Sequence, residues 1–188
     1  MKTIACLLSV LLFVAHSYGE PYCVSVSSTK AVQGMNDAEL AGALASKDSH
    51  LASEAVREIM CRGEKMFPAL IALEGCRTSF FGSGLGNPMS AQLIPRHTAR
   101  DLKAIPAEQA ALYLIEAIYR GSLGFAQSPY LIDQELPQGS RPASTSIELN
   151  RRAWESVRAW FSEYLKRGLA HMRRSSKDPL SDARVAFW

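Results

Sequence analysis

The sequence predicts an all-α fold, an irregular bundle of stacked helical hairpins carrying two long loops. Apolar residues recur at three- and four-residue spacing in several stretches. Those stretches open on helix-capping residues or proline and close on glycine. Two of them are so close in the chain that they must pack as a hairpin.

The first helix follows Asn36-Asp37, a capping pair, and places Leu40 and Leu44 on one face. The second starts at Asp48-Ser49, aligns Leu51, Ala55, Val56, Ile59 and Met60, and stops at Gly63. The third covers Lys65 to Glu74, tolerates Pro68 in its first turn, carries Met66, Phe67, Leu70, Ile71 and Leu73, and ends at Gly75. Pro106 opens a helix through Arg120 whose apolar face, Ala111, Leu112, Ile115, Ile118 and Tyr119, is wide enough for a central position. The last long helix begins near Ile147, lines up Ala153, Trp154, Val157, Trp160, Phe161, Tyr164 and Leu165, and is expected to run past Gly168 to Arg174. Its aromatic stripe reads as core.

Two connections are long, Arg77 to Ile105 and Gly124 to Ser146. Loops beyond about 15 residues are commonly functional or disordered, so a binding surface is sought where these two meet. The candidate partner-binding residues are Phe80, Phe81, Arg96, His97, Arg100 and Tyr130.

The hairpin from Asp48 to Leu73 resembles a HEAT-type repeat unit, through Asp48, Ala55-Val56-Arg57, Pro68, Leu70 and Leu73. The likeness covers one unit, with no second copy at a period of about 40 to 47 residues. It implies stacked helices and a protein-binding role. The chain at large is similar to uncharacterised secreted proteins of bacterial type, which implies a compartment and no activity.

Lys2, the apolar run Ile4 to Ala15 and Ser17-Tyr18-Gly19 together read as a signal peptide over residues 1–19. The mature chain, 20–188, is expected to be a single helical domain of about 169 residues, secreted or periplasmic. No later stretch is apolar for long enough to span a membrane. The formal charge of +3 is too small to imply nucleic acid. It is unevenly placed, with nine Lys or Arg against four Asp or Glu from Arg151 to Trp188, and the basic residues there suit the negative end of a helix.

Beyond the signal, Cys23, Cys61 and Cys76 allow one disulfide. A ten-residue helix between Cys61 and Cys76 would hold them roughly 15 Å apart, so Cys23 is expected to pair with Cys76 or with Cys61. His50, His97 and His171 form no metal-ligand spacing, and no cofactor is expected. Gly82-Ser83-Gly84-Leu85-Gly86 lacks the lysine and the strand-to-helix setting of a phosphate loop and reads as a turn. The terminal Phe187-Trp188 is expected to dock into the fold.

No motif names a reaction. The favoured function is a noncovalent protein-binding module, with an inhibitor or immunity-type role inside that class. The alternative is a secreted hydrolase with a dispersed active site drawn from His97, Glu108, Tyr130 and Asp133.

Overall fold

The structure, a computed structural model, describes residues 30–86, 104–138 and 145–188. The segment 1–19 and the candidate residues Cys23, Arg96, His97 and Arg100 lie outside them. The described residues are 59% helical, so the helical expectation holds in its coarse form, and no repeat is detected.

A short helix α1, Lys30–Gln33, precedes α2, Asp37–Gly42. Asn36 caps α2 reciprocally: its side chain accepts from the Glu39 amide while the Glu39 carboxylate accepts from the Asn36 amide, both at 2.9 Å. After a 3₁₀ turn at Ala43–Ala45, α3 spans Ser49–Arg62. The Asp48 carboxylate accepts from the His50 and Leu51 amides, and Gly63 closes the helix at φ 64°.

The helix expected over Lys65 to Glu74 is shorter. A 3₁₀ turn at Gly63–Met66 leads directly into α4, Phe67–Ile71. Beyond it the Leu73 and Glu74 amides reach back three residues, to Leu70 and Ile71. That tighter bonding ends the α-helix before the apolar pattern ends.

Helix α5, Ala107–Arg120, is the centre of the molecule, and every residue from Ala107 to Tyr119 is buried. Helices α3 and α4 pack on it, as does α6, Ile147–Arg167. A buried amide chain ties α5 to α6. Asn150 Nδ2 donates to Gln109 Oε1 at 3.1 Å, and Gln109 Nε2 donates to the Pro129 carbonyl at 2.8 Å. The stripe of α6 is core in part: Trp154 and Trp160 are each 2% exposed, and Phe161 and Tyr164 are half-buried. Leu165, expected on the same face, is exposed because it lies beyond the part of the helix that packs on α5. The Trp160 ring meets Phe67 and Tyr119 edge-on and stacks on Tyr164.

The expected continuation through Gly168 does not occur. Gly168 stands at φ 75°, ψ 161°, outside the helical region, and α7, Leu169–Arg174, starts afresh. The new direction buries Met172. It also carries the Arg173 guanidinium to the Ile118 and Tyr119 carbonyls, at 2.8 and 2.7 Å, where α5 exposes its last acceptors.

The all-α expectation needs a second correction. Within the second long connection, β1, Leu131–Asp133, pairs antiparallel with β2, Val185–Phe187, with Leu131 opposite Phe187 and Asp133 opposite Val185. Backbone bonds continue the ladder, from Trp188 to Tyr130 at 2.9 Å and from Gln134 to Arg184 at 3.0 Å. Leu131, Val185 and Phe187 turn inward, because alternate residues of a strand share a face. Phe187 packs against Tyr113 and Phe125, the docking expected of it, while Trp188 is half-buried and held through its backbone to Tyr130 and Ser128.

Candidate functional site

Two regions along α5 hold the side chains of interest, one at its N-terminal end and one around Glu116, a turn before its C-terminal end. At its N-terminal end, a β-bridge joins Ser79 to Pro106, and the Phe80 amide donates to the Ile105 carbonyl at 2.8 Å. Extended backbone sends successive side chains to opposite faces. Phe80 therefore enters the core at 7% exposure while Phe81 is 50% exposed. Phe80, expected as a partner contact, is instead an anchor for its neighbour.

The anchoring extends beyond Phe81. A Cβ on Gly82 would lie 2.6 Å from the Phe80 ring and 3.0 Å from the Ala52 backbone, so the chain passes where only glycine fits. The Ser83 amide then donates to Ser53 Oγ on α3 at 2.8 Å. Gly82 to Leu85 is thus irregular backbone laid against α3, with a bend at Gly86, and not the turn the sequence was expected to form. Phe81 is held from both sides and displayed.

The carboxylates of the hydrolase reading are engaged structurally. Glu108, 1% exposed, accepts from the Gly75 amide at 2.9 Å and faces Arg77 at 2.6 Å. Asp133 accepts from the Glu135 amide and pairs with Arg152 at 3.3 Å. Tyr130 is half-buried, and its carbonyl belongs to the ladder with Trp188. Burial pushes the Tyr113 phenol up to about 12, and its hydroxyl donates to the Leu123 carbonyl, a structural use. Among the described residues no cluster of His, Cys, Asp and Glu is arranged to hold a metal. Nor is there a disulfide among them: Cys61 and Cys76 are not bonded to each other, and Cys23 lies outside.

At the C-terminal end of α5 is a group the sequence reading did not single out. Glu116 is 2% exposed and lines a cavity of about 300 Å³ together with Arg120, Phe125, Asp178, Leu180 and Phe187, among others. Its Oε1 accepts from Arg120 Nε at 2.6 Å, while its buried Oε2 has no hydrogen-bond partner. Arg120 also reaches Asp178 at 3.4 Å and lies over the Phe125 ring. Burial, reinforced by Asp178, raises the Glu116 carboxyl to about 7, against the opposing pull of Arg120. The signal was present: an acidic residue in the middle of a helix otherwise apolar nearly all round, one turn before an arginine.

A raised carboxyl binds more protons in the folded than in the unfolded chain, so its contribution favours folding below about pH 4.5 and is lost as pH rises through about 7. Glu116→Gln is therefore expected to flatten the pH dependence of stability. Between pH 5 and 8 the native chain should lose of the order of 2 kcal/mol relative to the variant. Denaturant titrations of both proteins at the two pH values measure this. Parallel profiles would mean that Glu116 titrates as an ordinary surface carboxylate.

Compared with known proteins, the chain matches no family model, no curated protein and no solved structure.

Proposed function

We propose that this chain is an exported protein that acts by binding a protein partner noncovalently, with Phe81 at the centre of the contact. One observation carries the reading: a large aromatic side chain, half exposed, sits on backbone fixed on both sides. Binding energy concentrates in aromatic residues, and a contact ordered before binding loses less entropy on association. Among the described residues the other large exposed apolar side chains, Leu136, Ile147 and Leu165, are aliphatic, and scattered exposed side chains are ordinary.

A HEAT-like relation of the stretch from Asp48 to Leu73 belongs to the same reading, although α3 and α4 pack on α5 more than on one another, as does an inhibitor or immunity-type role. Export rests on the pattern of residues 1–19, and cellular fractionation tests it. Removal of the leader and recovery outside the cytoplasm is the expected result.

Phe81→Ala tests the binding surface. The substitution removes a half-exposed ring and leaves Phe80 in place, so the unfolding midpoint should stay within about 0.5 kcal/mol of native. Immobilised native chain, exposed to extracellular and envelope proteins, should retain a specific partner that the variant binds at least about tenfold more weakly. Equal retention by both would remove Phe81 from the contact. Failure of the native chain to retain any partner would count against the whole reading.

A further inference from the structure

We infer that the corner where α6 breaks into α7 is a docking surface for an anionic lipid bilayer. The inference is independent of the surface around Phe81. From Tyr164 to Lys177 the chain carries five cations, Lys166, Arg167, Arg173, Arg174 and Lys177, and no carboxylate. The carboxylates nearby are engaged: Glu163 pairs with Arg167 at 3.5 Å and with Lys177, Asp178 pairs with Arg120 at 3.4 Å, and Glu64 bonds the Tyr164 hydroxyl. Arg173 lies on backbone carbonyls of α5, which carry no formal charge. Among the described residues Lys166 and Arg174 have no anionic partner, and both are exposed. A helix end supplies about half a negative charge, so the ends of α5, α6 and α7 together with Glu163 leave about two of the five cations over.

A second observation selects the kind of anionic partner. Leu165 is 67% exposed in the last turn of α6, next to Lys166, and the half-buried Leu169 opens α7. The break at Gly168 folds the two helix ends together, for Arg167 Nη1 and His171 Nε2 stand 3.1 Å apart across it. Cations and an aliphatic side chain therefore share one corner. A phosphodiester strand offers a leucine nothing apolar, whereas a bilayer offers headgroup charge and, a few Å deeper, acyl chains. Stable attachment to a membrane surface takes two signals, and a basic patch beside an apolar group supplies both. Each Lys or Arg near such a surface raises partitioning about fivefold, and full burial of a leucine about tenfold or more.

Sedimentation with lipid vesicles tests the inference. The full chain is mixed with vesicles of phosphatidylglycerol and phosphatidylcholine in equal parts, or of phosphatidylcholine alone. Residues 20–188 are run in parallel, to remove any lipid affinity of the apolar run Ile4 to Ala15. Expected at about 0.05 M salt is binding to the anionic vesicles at least about tenfold tighter than to the neutral ones, a preference lost at about 0.5 M salt, where charge is screened within a few Å. Lys166→Glu and Arg174→Glu should each weaken binding at least about tenfold, because each removes an attraction and adds a repulsion. Lys47→Glu makes the same change in net charge at an exposed residue outside the corner, and should weaken binding less than about twofold. Leu165→Ser should weaken it about threefold or more and leave the salt dependence unchanged. Circular dichroism checks that each variant is folded, and the comparison of the two vesicles needs no variant. Equal binding to both vesicles, or equal losses in Lys47→Glu and Lys166→Glu, would overturn the proposal. So would native binding by Leu165→Ser, which would point to an acidic macromolecule in place of a bilayer.

Discussion

Trp160→Ala is expected to destabilise the protein by about 3–5 kcal/mol, the cost of emptying a fully packed aromatic site. The ring is 2% exposed and joins three elements at once, meeting Phe67 on α4, Tyr119 on α5 and Tyr164 on its own helix. Its indole Nε1 also donates to the Lys177 carbonyl at 2.9 Å. The substitution therefore opens a void and leaves a carbonyl without its donor, two penalties that add. Against a total stability of about 5–15 kcal/mol, such a loss is a large part of the whole. Thermal unfolding should move down by about 10 °C, and urea titration should show the same loss. A change below about 1 kcal/mol would mean that the helix packs on α5 without this ring.

Phe187→Ala should cost about 3 kcal/mol, for a related reason in a different layer. Phe187 is 9% exposed and packs edge-on against both Tyr113 and Phe125, with centroid separations of 5.0 and 5.9 Å, while those two rings also touch each other at 4.7 Å. A two-stranded sheet is marginal by itself, so β2 depends on the side chains that its alternate positions bury. Arg152 holds the approach to the strand, donating to the Ala183 carbonyl at 2.8 and 3.1 Å and to the Arg184 carbonyl at 3.2 Å. The variant should expose the segment from Ala183 onward to proteolysis before the helices unfold. Unchanged protease resistance and an unchanged unfolding midpoint would show that the strand is held by its backbone and Arg152 alone.

How much of this could be read in advance depended on whether the cause was local. Helices α2, α3 and α5 were legible because their ends are written in adjacent residues: Asn36 with Glu39, Asp48, Gly63, and Pro106 with Gly121. The early end of α4 and the break at Gly168 were not, since each is decided by what the next segment packs against. The paired strands were hidden for a further reason. Three residues give too short a period to count, and their partner stands more than fifty positions away.

The candidate site shows the same division. The sequence marked Phe80 and Phe81 together, but only the bridge between Ser79 and Pro106 decides that one is core and the other displayed. Glu108 and Asp133 looked available because their ion partners, Arg77 and Arg152, come from elsewhere in the chain. Glu116 went unmarked because a glutamate four positions before an arginine usually describes a solvated helix face. The residues that share its cavity, Asp178, Leu180 and those of strand β2, reach its neighbourhood only after the chain has doubled back.

The grip of Arg173 on the final carbonyls of α5 has a consequence for the order of assembly. Among the described residues this helix, buried from Ala107 to Tyr119, is capped locally only in part. The Gly121 and Ser122 amides serve the Ala117 and Ile118 carbonyls, while the donor to the Tyr119 carbonyl comes from a residue more than fifty positions downstream. Closing so long a loop is slow relative to local helix formation, so a nascent polypeptide halted before that arginine should hold α3, α4 and α5 in a loose, protease-sensitive state. Maturation would then be a late zippering event, triggered when the stretch beyond Gly168 swings in and seals the base of the core.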